Sequence, residues 1–196
     1  GQGVLPLRWS PARGGQFEAG AGTLTITSPA PTSQARLSWE PLRWQAGELD
    51  SRGRLSGLPQ QWLERLAGTP LQDTGVSGDL VFDGAWQATL GRQLRLDARL
   101  ARARGDLTLQ LTDADTGVRS RVAAGLRQAQ LSLRSDGPAL TLDLLWDSER
   151  AGRVEGQLRT ALVAGSDADG RTRWSWPPDA ALTGSLRAQL PQIAAW

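Results

Sequence analysis

An all-β fold built as a long antiparallel meander, with one apolar face and one short helix, is what the sequence predicts. Three observations carry it. Apolar and polar residues alternate with period 2 from one end of the 196-residue chain to the other, the pattern of half-buried strands. The connections are short and rich in Gly, Asp and Pro, and two-to-five-residue turns force neighbouring strands to be antiparallel. One stretch alone switches to helical spacing.

In chain order, Leu5, Leu7 and Trp9 alternate with Pro6 and Arg8, and Leu24 and Ile26 with Thr23, Thr25 and Thr27. Ala35, Leu37 and Trp39 follow against Gln34, Arg36 and Ser38, then Leu42, Trp44 and Ala46. Over Leu58–Gly68 the apolar positions fall at Trp62, Leu63 and Leu66, with Pro59 near the start and Gly68 just past the end. That is the spacing and punctuation of a short amphipathic helix. Residues 69–78, rich in Gly, Thr and Pro, read as a linker.

Alternation then resumes at Leu80 and Phe82, at Trp86, Ala88 and Leu90, at Leu94, Leu96, Ala98 and Leu100, and at Leu107, Leu109 and Leu111. Ala129, Leu131 and Leu133 come next, then Leu140, Leu142, Leu144 and Trp146. Val154, Gly156, Leu158 and Leu162, then Trp174 and Trp176, then Leu182, Gly184, Leu186, Ala188 and Leu190 complete the series. About a dozen strands are expected. They divide into an amino-terminal β segment, 1–68, ending in the helix, and a main β segment, 79–196, or run as one continuous sheet.

Composition narrows the chemistry. All 22 basic residues are Arg, and there is no Lys, His, Cys, Met, Tyr or Asn. Thiolate and imidazole catalysis, disulfides, Schiff bases, P-loops and ordinary zinc, haem or iron–sulfur sites are thereby excluded. An enzyme would be restricted to carboxylate pairs or a hard cation site, so no catalytic residues, metal or cofactor are expected. The sequence pI of 10.7 reflects Arg that does not deprotonate; against 20 Asp+Glu the net charge is only +2, so no nucleic-acid partner is expected. No run reaches the roughly 20 apolar residues of a spanning helix. Starting at Gly1 without a basic-then-apolar leader, the chain reads as a mature chain or an excised segment.

A one-sided sheet must use its apolar face. Full burial of each inward Leu, Val or Trp is worth roughly 1.5–3 kcal/mol, too much to leave wet over a dozen strands. The sheet can fold over itself as a sandwich or barrel, remain an open trough for an apolar ligand, or pack on another protein. Inner positions that are mainly Leu, with few small partners, lean toward a lined groove, because interdigitating layers mix sizes.

The closing stretch from Trp174 to Trp196 resembles the W-x-P-x-x-x-L-x-G-x-L-x-A-x-L-P-x-I-x-x-W pattern of the TamB family, AsmA-like envelope proteins of Gram-negative bacteria. Gly78–Trp86, Leu94–Leu100, Ala103–Leu107 and Gly152–Leu158 are similar to that family's interior repeats. The resemblance implies an internal segment of a periplasmic bridge, its sheet curved into an open U-shaped trough (a β-taco). It implies phospholipid as ligand, moving between inner and outer membranes, and support of outer-membrane biogenesis. An inner-membrane anchor and the outer-membrane barrel TamA would be met by regions outside this segment. The N subunit of type II secretion, whose Trp-rich repeats are similar to Leu37–Trp44, is the second resemblance.

On this reading the lipid groove is lined by Leu80, Phe82, Trp86, Leu94, Leu96, Leu100, Leu107, Leu109, Leu111, Leu131, Leu133, Leu140, Leu142, Leu144, Trp146, Val154, Leu158, Leu162, Trp174, Trp176, Leu182, Leu186 and Leu190. A seven-residue strand spans about 23 Å, a good part of the roughly 30 Å hydrocarbon core of a bilayer. Twelve strands make a trough about 58 Å long. A uniform wall without deep wells is what flow requires.

Other signals have plainer readings. Arg92, Arg95, Arg99, Arg102 and Arg104, interrupted by Asp97 and Asp106, form a solvated outer face. Asp113–Asp115 and Asp167–Gly170 resemble partial calcium loops but lack the later acidic ligand, so they are turns. Asp143 with Asp147, or Glu149 with Glu155, would be the acid/base pair of a hydrolase, but Asp143 sits on a polar face and the others near turns. The competing function is a scaffold or chaperone that captures strands of outer-membrane proteins at the sheet edges.

Overall fold

The structure, a computed structural model, describes residues 7–10, 16–29, 32–45, 47–67, 76–112, 117–166 and 172–190. Alternation yields strands throughout: β1 (Leu7–Ser10), β2 (Gln16–Ala19), β3 (Gly22–Pro29), β4 (Thr32–Trp39), β5 (Leu42–Gln45) and β6 (Glu48–Pro59) precede helix α1 (Gln60–Ala67). After it come β7 (Val76–Gly78), β8 (Val81–Leu90), β9 (Leu94–Arg104), β10 (Leu107–Thr112), β11 (Arg119–Ala123), β12 (Leu126–Asp136) and β13 (Ala139–Ser148). The last are β14 (Gly152–Ala161), β15 (Val163–Ser166), β16 (Thr172–Ser175) and β17 (Thr183–Gln189). The stretch expected to be a linker thus contributes a strand, β7. The two candidate calcium loops lie outside the described residues.

Twelve strands form one antiparallel sheet in the order β1-β2-β5-β6-β8-β9-β12-β13-β14-β17, with β4 also pairing β6 and β3 pairing β4. The sheet does not close on itself: β1 and β17 end the path. It forks at β6, whose first half pairs β5 and whose second half pairs β4. Pairing of β6 with β8 across residues 49–59 and 81–90 joins the two halves of the chain in a single sheet. Gly57, at φ +73°, sits in the bulge where that register shifts, a conformation glycine adopts without a Cβ penalty.

The floor turns up into a wall. Three adjacent strands, β8, β9 and β12, continue through corners at Asp79–Leu80, Gly105–Asp106 and Ala124–Gly125 into β7, β10 and β11, which form a second sheet in the same order. The corner is held by polar groups. The Asp106 carboxylate accepts backbone N–H bonds from Leu107 (2.8 Å), Leu126 (2.9 Å) and Gly125 (3.0 Å). Asp79 Oδ1 accepts from the Asp106 N–H at 2.8 Å. Gly105 is at φ +89°, and a Cβ there would run into the Asp79 carbonyl. At the opposite end of the strands β14 passes through Leu162 into β15, which pairs only with β16.

Inside the corner lies a cluster of buried residues, Leu80, Leu107, Ala124, Leu126 and Ala129, with Val76, Phe82, Leu109 and Trp146 packed against it. The turn after β13 closes the wall, as Ser148 Oγ donates to the Ala124 carbonyl at 2.6 Å and Arg150 to that of Ala123 at 2.7 Å. On the other side α1 follows β6 directly, its first N–H bonded to the Leu80 carbonyl at 2.8 Å.

Desolvation works against the Asp106 carboxylate, but the bonds from Leu126, Leu107 and Gly125 and the charge of Arg102 outweigh it and hold its pKa below the usual carboxylate value. A folded-state pKa below the unfolded one adds stability that is complete above the ordinary carboxylate pKa and is lost as pH falls through the lowered one. Asp106→Ala leaves those amides without their acceptor and is expected to cost on the order of 2–3 kcal/mol in urea unfolding at neutral pH. The gap between variant and wild type closes as the buffer is taken below the ordinary carboxylate range.

Candidate functional site

Residues facing each other across an antiparallel pair share a face, so the register shows which side chains form the apolar surface. Leu24, Leu37, Leu55, Gly84, Leu100, Leu131, Leu144, Gly156 and Leu186 are successive partners from β3 to β17. Beside them runs a second row, Gly22, Trp39, Gly53, Trp86, Ala98, Leu133, Leu142, Leu158 and Gly184. At about 4.8 Å per strand each row is about 38 Å long. Flanking rows add Ala88, Leu96 and Leu140 on one side and Ala129, Trp146 and Val154 on the other.

This surface is not sealed. Leu131, Leu144 and Leu158 keep 39%, 40% and 43% of their surface exposed, against 4% for Leu126 in the corner. No large side chain among the described residues is completely buried. A sandwich or closed barrel would have covered these leucines with a second layer, and here about two-fifths of each is open.

The expected groove residues divide by position. Phe82, Trp86, Leu96, Leu100, Leu109, Leu131, Leu133, Leu140, Leu142, Leu144, Trp146, Val154, Leu158 and Leu186 stand half-buried or exposed on the apolar side of floor or wall. Leu80, Leu94 and Leu107 are instead buried; Leu80 and Leu107 are packed inside the corner, and Leu94 lies at the β8–β9 turn. These three belong to the core and not to the open lining. Leu162 marks the bend from β14 to β15, and Trp174 on β16 donates from Nε1 to the Gly91 carbonyl at 2.9 Å. Trp176, Leu182 and Leu190 fall outside the strands and take no place in the paired rows. Leu111 lies on β10, its side chain outside the described residues. Leu24, Leu37, Trp39 and Leu55 complete the rows from the amino-terminal side; the supposed linker had set them apart from the groove.

The reverse face is polar and carries its own order. Arg52, Gln87, Asp97, Arg134, Thr141, Arg159 and Thr183 are successive partners, as are Arg54, Ala85, Arg99, Ser132, Asp143, Gln157 and Ser185. Three adjoining concavities of about 830, 880 and 810 Å³ lie on this side, centred on Asp97, Arg99, Arg134 and Gln157. A twisted sheet is saddle-shaped: the apolar face turns inward along the strands at the corner, and the polar face is hollow across them. Asp143 receives bonds from Gln157 at 2.7 Å and Arg134 at 2.5 Å, which together hold its pKa below the usual value. An acid/base catalyst among paired carboxylates needs the opposite shift in one member.

No family model matches the chain, and no curated protein or solved structure matches it. The site therefore rests on its own geometry.

Exposure on the apolar face predicts an uneven response to truncation. Leu126→Ala in the corner is expected to cost about 2–4 kcal/mol. Leu144→Ala, already open to solvent, costs about 1 kcal/mol. Paired urea titrations of the two variants measure the contrast.

Proposed function

We propose that this chain is a section of a TamB-like periplasmic bridge. Phospholipid acyl chains lie along its apolar face and pass between the inner and outer membranes of a Gram-negative envelope. The observation that carries this reading is the pair of in-register apolar rows, crossing nine strands with no member buried. A surface of that extent on a lone soluble domain is far more than scattered apolar residues account for. Aliphatic side chains offer no hydrogen bond to arrest an acyl chain, and no single residue is a binding site. Head groups ride at the open rim, where Arg can meet phosphate. The inner-membrane anchor and the barrel partner TamA belong to regions outside this segment, and no covalent chemistry is required of it.

A second reading is favoured by one observation. Every residue of β17 is exposed, and among the described residues no strand pairs with its outer edge, so it offers a template on which an extended strand of an outer-membrane protein can add.

The readings separate by experiment. Photo-crosslinkers at Leu109, Leu142 or Leu158 capture phospholipid, and those at Thr108 or Thr141, on the reverse faces, do not; equal capture from both faces overturns the lipid reading. Leu142→Arg or Leu158→Glu in the full-length protein blocks transport while thermal unfolding stays cooperative. Arg187→Pro, on the polar face of β17, removes an N–H and distorts the terminal strand; it abolishes edge capture and leaves lipid crosslinking at Leu142 unchanged.

A further inference from the structure

Within the second apolar row, glycine and tryptophan alternate: Gly22, Trp39, Gly53, Trp86. Each tryptophan lies over the glycine of the preceding strand. The three atoms that a Cβ added at Gly22 would meet first are Cζ2, Cε2 and Cη2 of the Trp39 indole, and one at Gly53 would collide with Cζ2 and Cη2 of Trp86 and with the Ser38 carbonyl oxygen. Both indole N–H groups are turned into the protein, Trp39 Nε1 to the Gly20 carbonyl at 3.2 Å and Trp86 Nε1 to Ser51 Oγ at 3.0 Å. The largest side chains of the face are thus laid down upon its smallest, with their polar handles occupied. An indole denied that space has to tilt up from the sheet.

We infer that Gly22 and Gly53 are positioning residues: by seating the two indoles they keep the β3–β8 half of the apolar face level, and so set its capacity to pass an acyl chain. This rests on the lipid reading above and adds to it which residues keep the surface level. Level indoles present an apolar ring surface, and the row continues through Ala98 into the leucines of β12–β14. Tilting either ring would place a barrier across one end while leaving the other open.

The test uses the full-length protein with a photo-crosslinker at Leu55, in the neighbouring row, or at Leu142, in the leucine half, and vesicle phospholipid as the probe. Gly22→Val lowers capture at Leu55 about tenfold, equivalent to ~1.4 kcal/mol, and leaves capture at Leu142 unchanged. Adding Trp39→Ala to Gly22→Val restores capture at Leu55, since the displaced ring is gone. Gly22→Ala, which adds only the colliding carbon, gives the same pattern should valine prevent folding. Unchanged capture at Leu55, loss at both reporters, or failure of the double variant to recover overturns the inference. No capture by the wild-type protein at either reporter overturns the lipid reading itself.

Discussion

Cross-strand register is the constraint on which this protein depends. Because side chains alternate with a period of two, a slip of one residue between any neighbouring strands would turn a strand's leucines to the polar side. The pairings from β3 to β17 keep one parity across nine strands, absorbing their irregularities at bulges such as that at Gly57. A continuous apolar face and a continuous polar face are two consequences of that one condition.

The corner supplies what register alone cannot. Asp106, held ionised by three backbone amides, ties the bends of neighbouring strands together, and Asp79 joins the third. A cluster of five buried side chains gathers under this bend, while Ala19, Ala35, Ala88 and Leu94 are buried elsewhere and most of the apolar floor stays partly exposed. Stability and the candidate function are separated in space: a compact corner holds the fold, and a broad half-exposed sheet is left free to meet an apolar ligand. The lipid reading and the levelling of the apolar face by Gly22 and Gly53 both build on that separation.

Much of this was legible in the residues. Period-2 runs marked the strands, short Gly- and Asp-containing turns dictated antiparallel pairing, and Trp62, Leu63 and Leu66 marked the helix now seen at Gln60–Ala67. The corner was not legible as a corner. Gly78-Asp79-Leu80 and Gly105-Asp106-Leu107 repeat the same tripeptide, and that repetition was the available signal, but a Gly-Asp pair reads equally well as turn chemistry. Only the meeting of Asp106 with amides 19 and 20 residues away distinguishes the two. Leu80 and Leu107 for the same reason read as groove lining and proved to be core.

Local pattern by itself determined the strand-rich class, the two-faced strands, the helix and the absence of thiol, imidazole and amine chemistry, because each follows from the identity and spacing of near neighbours. Tertiary structure decided which rows line up, that β6 lies beside β8, that three strands bend together into a wall, and that the leucine face stays uncovered. Those outcomes depend on contacts between residues far apart in the chain, and alternation is the same whether the opposite side of a strand meets a second sheet or open solvent.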